Sequence, residues 1–309
     1  MSKLRVIFMG TPEFAVSSLQ KLVESECQVV AVITAPDKPA GRGLQLTPSP
    51  VKQYAVSQGI PILQPEKLKN ADFLEELRSY HADLQVVVAF RMLPEVVWNM
   101  PPKGTFNLHA SLLPKYRGAA PINWAIINGE TETGVTTFFL EHEIDTGKII
   151  FQEKESIHYD DNVGTLYERL MNKGAELVVR TVKAVEAGNY PQTPQPHDEE
   201  LKAAPKIFKE TCEIQWNQPT ESVRNFIRGL APYPAAWTTL NGKLCKIYKS
   251  SVATQIPTDN GSQLFTDNKH VLLFKTADGW LSIDELQLEG KKRMGVEEFL
   301  RGTKLTMGQ

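Results

Sequence analysis

Short, nearly continuous apolar runs alternate with amphipathic stretches along the first half of the chain, and this alternation restricts the possible folds more than any other feature. The runs LRVIFM at 4–9 and VVAVIT at 29–34 are strand-like. Between them, the stretch from Pro12 to about Glu24 is predicted to be a helix capped at Thr11. Because such runs are typical of strands covered on both faces, the pattern predicts a mainly parallel sheet with flanking helices.

The same rhythm continues to a long helical segment at 166–186, which is expected to close a Rossmann-like α/β domain over residues 1–188. Each half of a 309-residue chain is long enough to bury a core of its own. Further strands of this domain are predicted at 84–90, 105–109 and 135–140, and further helices near 72–80 and 122–127.

The pattern breaks after residue 188 into a polar stretch with four prolines, which we interpret as an interdomain linker over 189–205. A helix is predicted to begin at Thr220. The rest of 206–309 consists of short strand-like runs between Asn-Gly and Asp-Gly turn signals, which predict an OB-like antiparallel β-barrel. The predicted strands are WTTL at 237–240, KLCKIYKS at 243–250, HVLLFK at 270–275 and WLSIDELQLE at 280–289.

The composition is that of an ordinary globular chain, but its formal net charge of −2 is unevenly distributed. Residues 201–309 hold 15 Lys and Arg against 11 Asp and Glu, which leaves 19 against 25 for residues 1–200. Such a basic excess is typical either of solvated surface or of a phosphate-binding face. Three cysteines without CxxC spacing argue against a disulfide framework and a zinc knuckle, and favour a reducing cytoplasm. We predict no targeting segment and no membrane span.

Three common ligand motifs are missing from the sequence. Gly10-Thr11-Pro12 follows the first predicted strand where a dinucleotide fingerprint has three glycines, and Pro12 lacks an N–H that a phosphate could use. No Walker sequence occurs. His142-Glu143 begins a zinc-protease motif, but Thr146 stands where the second histidine is required. These gaps disfavour an NAD-linked dehydrogenase and a zinc protease.

Asn107 and His109 are the first candidates for chemistry. Because side chains alternate along a strand, both project from one face near the carboxyl end of the strand 105–109, where open α/β sheets bind ligands. A buried core histidine beside a turn asparagine is the plainer interpretation of such a pair. The neighbouring residues favour a site, since Ser111 to Pro114 can line a ring pocket and Tyr116-Arg117-Gly118 adds aromatic and cationic character.

A third candidate is the carboxylate of Asp145. It lies in the glycine-ended loop 142–147, which we place at the carboxyl end of the strand predicted at 135–140. That position would let Asp145 face His109. The sequence therefore predicts that an amide, an imidazole and a carboxylate share one small space.

Motifs spread over almost the whole chain are those of a known family. They are GTPEFA at 10–15, DKPAGRG at 37–43, NLHASLLPKYRGAAP at 107–121, HEIDTG at 142–147 and LQLEGKKRM at 286–294. On these motifs the chain resembles the methionyl-tRNA formyltransferases, within the wider family of 10-formyltetrahydrofolate-dependent formyltransferases. The Asn, His, SLLP and Asp set marks the wider family, whereas the tRNA-directed assignment rests on the loop at 37–43 and the C-terminal domain.

The resemblance implies a role for each candidate residue. Asn107, His109 and Asp145 would be the catalytic trio. The implied formyl donor is 10-formyltetrahydrofolate, with no metal, and the implied acceptor is the α-amino group of methionyl initiator tRNA, which yields formylmethionyl-tRNA for translation initiation. Such a transfer needs donors for an oxyanion and a proton for the departing folate nitrogen, which an amide and an imidazolium beside a carboxylate can supply. The residues that would help to hold the folate are Ser111, Leu112, Leu113 and Pro114.

The loop from Ala35 to Pro50 and the basic residues of the C-terminal part are the implied tRNA contacts. Lys38 and Arg42 would enter the tRNA acceptor end, although a solvated loop is the plainer interpretation of the sequence alone. Lys206 and Lys209 would begin a positive track along the linker and barrel towards the tRNA backbone. Its further members would be Lys243, Lys246, Lys249, Lys291, Lys292 and Arg293.

Two other functions stay open on the sequence. A formyltransferase acting on a small amine, such as an amino sugar or glycinamide ribonucleotide, would use the same donor, but the loop at 37–43 and the appended barrel argue against it. An RNA-binding module whose α/β half binds a metabolite without turnover would keep the fold and lack the chemistry. Neither a membrane nor DNA is expected as a partner.

Overall fold

The computed structural model describes residues 3–40, 45–196, 201–254, 257 and 261–305. It confirms the predicted fold class, because a Rossmann-like sheet with helices is followed by a curled antiparallel sheet that forms an OB-like half-barrel. In this described part of the chain, no helix combines the length and the apolar character that a membrane crossing requires.

The helices and strands alternate in the first half of the chain, and strands dominate the last third. The strands are β1 (Arg5–Gly10), β2 (Gln28–Ile33), β3 (Lys38–Ala40), β4 (Gln45–Thr47), β5 (Ile62–Leu63), β6 (Leu84–Val88), β7 (Thr105–His109), β8 (Arg117–Gly118), β9 (Glu132–Phe139), β10 (Ile149–Ser156), β11 (Ala203–Ala204), β12 (Ala236–Leu240), β13 (Lys243–Val252), β14 (Leu264–Thr266), β15 (Leu272–Lys275), β16 (Trp280–Leu288) and β17 (Met294–Gly295). The helices are α1 (Glu13–Glu24), α2 (Pro50–Ser57), α3 (Ala71–Ser79), α4 (Glu95–Trp98), α5 (Pro121–Ile127), α6 (Val163–Ala187), α7 (Thr220–Leu230) and α8 (Val296–Arg301), with a short 3-10 helix at Lys209–Cys212.

The chain divides into two compact units, each assembled from separate stretches. The first comprises Met1–Gly118, Gly134–Glu155 and Tyr167–Ala203. The second comprises Ala119–Thr133, Ser156–Leu166 and Ala204–Gln309. The stretches 119–133 and 156–166 thus group with the barrel, although the sequence places them inside the domain predicted at 1–188.

The sheet of the first unit runs in the order β10-β9-β7-β6-β1-β2-β5. Its central pairs are parallel, namely β1 with β2, β1 with β6, β2 with β5 and β6 with β7. The direction reverses between β7 and β9, which are antiparallel. Every residue of β6 is buried, as its continuous apolar run predicts. One core cluster beside these strands contains Ile7, Met9, Ile33, Phe73, Leu77, Val87 and Val97.

Polar caps set the starts of two helices in this unit. The Ser49 hydroxyl accepts the Lys52 N–H at the start of α2, and the Asn70 side chain accepts the N–H groups of Asp72 and Phe73 at the start of α3. The cap predicted at Thr11 is wrong, because Pro12 is the N-cap of α1 and provides no side-chain hydrogen bond. A proline fits there because its fixed φ suits a helix start.

The second unit is built around an antiparallel sheet in the order β12-β13-β16-β15-β14, with β17 paired to β16. Its inward residues form a core with α7 and α8. All three cysteines are free, and burial raises the pKa of the Cys245 thiol to about 12, so this cysteine is a core residue. The buried members of the core include Val223, Ile227, Leu240, Ile247, Leu281, Ile283, Leu286 and Phe299.

Close contacts join α5 and the stretch Ser156–Leu166 to α7. The Asn123 amide donates to the Gly229 carbonyl at 2.8 Å, and a Cβ at Gly229 would meet the Ile127 side chain at 2.6 Å. The glycine therefore permits the two helices to approach. In the other stretch the carbonyl of Tyr159 accepts a 2.6 Å hydrogen bond from Arg224, which is nearly fully buried.

Shortening a core side chain tests the barrel packing. Ile247→Ala removes a fully buried side chain and is expected to lower the free energy of unfolding by about 2–4 kcal/mol. Val252→Ala, on the same strand but 42% exposed, is the control and is expected to cost less than about 1 kcal/mol. Urea denaturation measures both values. Equal losses of unfolding free energy in the two variants would mean that the buried face of β13 is wrongly assigned.

Candidate active site

The side chains of Asn107 and His109 project from the same face of strand β7, as the alternation of side chains along a strand predicts. Asn107 lies between Val87 of β6 and Phe138 of β9 in the strand register. His109 is the last residue of β7, so it lies at the edge where the parallel strands β6 and β7 both end. This is the edge at which α/β sheets bind ligands.

Two oxygen atoms flank the imidazole of His109. Nε2 lies 2.8 Å from the Tyr116 carbonyl oxygen, and because a carbonyl only accepts, we assign the proton of this contact to Nε2. Nδ1 lies 3.9 Å from Oδ2 of Asp145, which is longer than a hydrogen bond. The side chain of His109 is buried, at 7% exposed, and that of Asp145 is 12% exposed.

Asp145 reaches His109 by a route that differs from the predicted one. The prediction placed its loop at the same sheet edge as the end of β7. Because β9 is antiparallel to β7, Phe139 ends β9 opposite Phe106, three residues or about 10 Å before His109. The loop 140–147 must therefore turn back along the sheet. The predicted convergence of the side chains is present, but the loop and not the strand direction produces it.

Hydrogen bonds from Gly118 and Gln195 hold the returning loop at Asp145. The Gly118 N–H donates to Oδ2 of Asp145 at 3.1 Å. The Gln195 amide donates to the carbonyl oxygens of Asp145 and Gly147, each at 2.8 Å. The backbone at Asp145 is left-handed, with φ of 57°, which aspartate tolerates better than most residues.

Asn107 has a side-chain amide that is available to a ligand. Its side chain is half-buried and has no hydrogen-bond partner in the described part of the chain. Two exposed apolar side chains belong to segments that adjoin the site residues in sequence: Met92, which follows β6, is 72% exposed, and Ile144, which precedes Asp145, is 60% exposed. An unpaired amide and exposed apolar side chains are the kinds of group that bind a partly aromatic ligand.

The turn from Ser111 to Pro114 packs inward. Ser111 is fully buried and its hydroxyl donates to the Lys115 carbonyl at 2.7 Å. Leu113 is buried, while Leu112 lies against Gly134, where a Cβ would meet it at 2.6 Å. Pro114 is half-buried. Because these groups contact the protein, the predicted contact of all four with folate stays a prediction.

The loop predicted to enter tRNA has a well-anchored base. The strands β3 and β4 pair as a short hairpin, and Lys38 on it is exposed. At its base Asp37 accepts hydrogen bonds from Lys52 at 2.6 Å and Gln64 at 2.8 Å. The hydrogen bond from Lys52 and the bond from Gln64 lower the pKa of the Asp37 carboxyl. Arg42, predicted to contact tRNA, lies outside the described residues.

The basic residues of the second unit fall into two groups. Arg293 pairs with Glu285 at 2.6 Å, Lys292 pairs with Glu298 at 3.0 Å, and Lys291 donates to the Thr303 hydroxyl at 2.7 Å. The other group has no ion pair within the described ranges and comprises Lys206, Lys209, Lys243, Lys246 and Lys249.

Trp237 adjoins two residues of the second group. The Trp237 indole N–H donates to the Lys209 carbonyl at 2.8 Å, and Trp237 lies opposite Lys246 in the pairing of β12 with β13. The backbone of Lys209 and the strand position of Lys246 thus both adjoin Trp237. Basic and aromatic groups together are typical of nucleic-acid contacts.

No cluster of three or more His, Cys, Asp or Glu suited to a metal ion occurs among the residues that the structure describes. The candidate site described above contains an amide, an imidazole and a carboxylate. Its polar groups can donate to an oxyanion and move a proton.

Both halves of the sequence match domains of one family. Residues 2–182 match the domain described as formyl transferase, and residues 206–304 match the formyl transferase C-terminal domain. The chain belongs to the formyl transferase family. Family membership confirms the resemblance drawn from the motifs.

Similar sequences carry one name. The methionyl-tRNA formyltransferase of Parabacteroides distasonis is 58% identical over 314 residues, which cover 97% of this chain and 96% of that protein. The enzyme of the same name from Bacteroides fragilis is 55% identical over 311 residues, which cover 98% and 96%. That of Flavobacterium johnsoniae is 50% identical over 306 residues, which cover 98% and 97%.

Solved structures of low sequence identity share the fold. HypX from Aquifex aeolicus in complex with tetrahydrofolic acid has a TM-score of 0.66 at 20% identity, covering 99% of this chain and 49% of HypX. The N-formyltransferase from Helicobacter canadensis in complex with folinic acid and dTDP-3-aminofucose has a TM-score of 0.66 at 20% identity, covering 94% of this chain and all of that one. At this identity the similarity establishes the fold alone.

Sequence reasoning missed Gln195 and the role of Gly147. Gln195 lies inside the stretch predicted to be a polar linker, and a polar residue there gives no signal that it is buried. Gly147 could be read only as the end of a loop. In the structure a Cβ at Gly147 would meet the Phe139 carbonyl oxygen at 1.7 Å, so no larger residue fits without a backbone shift.

Substitution of this glycine tests how tightly the Asp145 loop is held. Gly147→Ala must move the loop or β9, and is expected to lower the free energy of unfolding by about 1–3 kcal/mol. Gly302→Ala is the control, because its Cβ meets nothing closer than 3.9 Å, and it is expected to change stability by less than about 0.5 kcal/mol. Thermal denaturation of both variants provides the comparison. A Gly147→Ala protein as stable as wild type would contradict the close approach.

Proposed function

We propose that this chain is an enzyme that transfers the formyl group of 10-formyltetrahydrofolate to the α-amino group of methionyl initiator tRNA. The product is formylmethionyl-tRNA for translation initiation, and we assign the enzyme to the cytoplasm. The observation that carries the proposal is the position of Asp145 beside His109, on the face of β7 that also bears the unpaired Asn107 amide. The names of relatives 50–58% identical over nearly the full chain support the choice of acceptor.

The residues at the site fit a reduced folate carrying a formyl group. Its flat ring system and polar edge suit a site that combines polar groups with exposed apolar side chains such as Met92 and Ile144. The Asn107 amide has donors free for a carbonyl oxygen. A bound folate supplies a formyl group that its attachment to nitrogen already activates, so the chain has only to position the amine, stabilise charge and transfer protons.

Asn107, His109 and Asp145 have separate tasks in this proposal. The Asn107 amide donates a hydrogen bond to the oxygen that becomes negative when the amine attacks the formyl carbon. The Nδ1 side of His109 faces the space beside Asp145 and can hold and pass on a proton there. Asp145 is close enough to stabilise the imidazolium by direct attraction. The Tyr116 carbonyl fixes the ring by accepting from Nε2.

We assign contact with the tRNA to two regions. Lys38, on the hairpin of β3 and β4, is exposed and can approach the acceptor end. In the barrel, Lys206 and Lys209 precede the strands, and Trp237 contacts the Lys209 backbone and lies opposite Lys246. Catalysis is thus assigned to residues 1–188 and additional RNA contact to 206–309, with 189–205 between them.

A formyl transfer assay tests the proposal. Purified enzyme with 10-formyltetrahydrofolate is expected to shift methionyl initiator tRNA on an acid gel, and Asn107→Ala is expected to slow single-turnover transfer by about 100-fold because one oxyanion donor is lost. Asn172→Ala, at an exposed position of α6, serves as a control for handling. Transfer to a sugar amine without transfer to the tRNA would reject the proposed acceptor, and an unchanged rate in Asn107→Ala would reject its role.

Salt titration tests the barrel contacts. If Lys206, Lys209 and Lys246 each contact a phosphate, replacing all three with Ala is expected to reduce the magnitude of the slope of log affinity against log salt by about 2–3. Lys292→Ala is the matched control, because Lys292 already pairs with Glu298. Filter binding of methionyl initiator tRNA across 50–300 mM salt, roughly the range where such slopes are resolved, measures both. Equal slopes in the triple variant and wild type would remove these residues from the interface.

A further inference from the structure

We propose that Gln195 is a positioning residue for the transfer reaction, because its buried amide holds the Asp145 loop in place beside His109. The inference rests on the proposed function, since it concerns the same trio. Gln195 lies on none of the sheet strands. It is nevertheless 3% exposed, which is unusual for an amide in a polar, proline-rich stretch.

The need for such a residue follows from the direction of β9. The loop 140–147 leaves the sheet opposite Phe106 and turns back over about 10 Å to reach His109. The strand ladder ends before this loop, so sheet hydrogen bonds cannot set the position of Asp145. Its left-handed backbone, with φ of 57°, also has a conformational cost that other contacts must offset.

Gln195 provides those contacts from one side of the loop. Both hydrogens of its amide nitrogen are used, one on the Asp145 carbonyl and one on the Gly147 carbonyl, each at 2.8 Å. A short antiparallel bridge brings Gln195 there, because Thr193 and Ile149 exchange backbone hydrogen bonds of 2.8 and 2.9 Å. The backbone bridge and the two donated hydrogen bonds together hold the Gln195 side chain in place.

The oxygen of the same amide reaches the other side of the site. Oε1 accepts from Arg117, at 2.6 Å from one terminal nitrogen and at 3.2 Å from Nε. Arg117 lies between Tyr116, whose carbonyl accepts from His109, and Gly118, whose N–H donates to Asp145. One amide group thus connects the loop of Asp145 to the segment that orients both His109 and the Asp145 carboxylate.

The chemistry of this position requires both a donor and an acceptor in one planar group. Glutamate would keep the size and still accept from Arg117, but it has no N–H to give and would place negative charge against two carbonyl oxygens. Alanine would leave those carbonyls and the guanidinium without their partner in a buried place. Gln195→Glu and Gln195→Ala therefore separate loss of the two donated bonds from loss of the whole amide.

Gln85 provides a matched control. It is a fully buried glutamine on β6 in the same unit, and its Oε1 accepts from the Thr105 hydroxyl at 3.0 Å. Thr105 lies four residues, or about 13 Å, before His109 along β7. Gln85→Ala is thus expected to cost stability without moving Asp145, so the melting temperature falls while the transfer rate stays within about twofold of wild type.

The test is single-turnover formyl transfer in two backgrounds. In the wild-type background, Gln195→Ala and Gln195→Glu are expected to lower the rate by roughly 10–100-fold, with KM for either substrate within about threefold, because a misplaced group costs rate more than binding. In an Asp145→Asn background the same changes are expected to cost less than about twofold, since the group that Gln195 positions is already inactive. Gln195 variants that are as fast as wild type, or that lose equal rate in both backgrounds, would overturn the proposal.

Hydrogen exchange provides a readout that does not depend on transfer. Amides in 141–147 are expected to exchange at least about tenfold faster in Gln195→Glu than in wild type, and to be unchanged in Gln85→Ala. If wild type fails to transfer formyl while this difference is seen, the proposed function fails and the tether stands. If wild type transfers and the exchange of 141–147 is the same in all proteins, the tether fails and the function stands.

Discussion

The position of one carboxylate beside one imidazole is the constraint on which the rest of the site depends. A parallel sheet brings Asn107 and His109 to a common edge by register alone, but the reversal of β9 sends the following loop away from that edge. Asp145 returns to within 3.9 Å of His109 only because the loop is held by Gly118 and Gln195 and because Gly147 leaves room for Phe139. Much of the local backbone therefore has a geometric task.

The sequence predicted the fold through periodicity and turn chemistry. Buried strands such as β6 and β7 were predicted within two residues, because a fully buried strand leaves a continuous apolar run. The pair Asn107 and His109 followed from alternation along β7. Motifs then indicated the family, and family membership is confirmed over both halves of the chain.

Other features could not be predicted from the sequence because they depend on tertiary contacts. The run VTTFFL does not indicate whether β9 is parallel or antiparallel. The predicted route of the Asp145 loop was therefore wrong, although the predicted position of Asp145 beside His109 was right. Thr11 has a side chain suited to a cap, yet the helix starts one residue later. Gln195 was predicted to be part of the linker, because the burial of a polar residue in a proline-rich stretch has no periodic signature.

The distribution of charged partners separates two kinds of basic residue in the barrel. Those near the end of the sequence, such as Arg293, already have acidic partners and act in packing, whereas Lys206, Lys209 and Lys246 have no ion pair in the described ranges. Net charge alone does not distinguish these groups. Trp237 contacts the backbone of Lys209 and lies opposite Lys246, so this part of the barrel combines basic and aromatic residues, as polyanion-binding surfaces do.

The central claim is that His109 and Asp145 act as one unit in formyl transfer. The most direct measurement is the single-turnover rate for His109→Gln, Asp145→Asn and the double variant, at saturating folate and methionyl initiator tRNA. Residues that act as a unit lose activity together, so the double variant is predicted to be no slower than the more impaired single variant. A double variant whose rate loss equals the product of the two single losses would contradict the account.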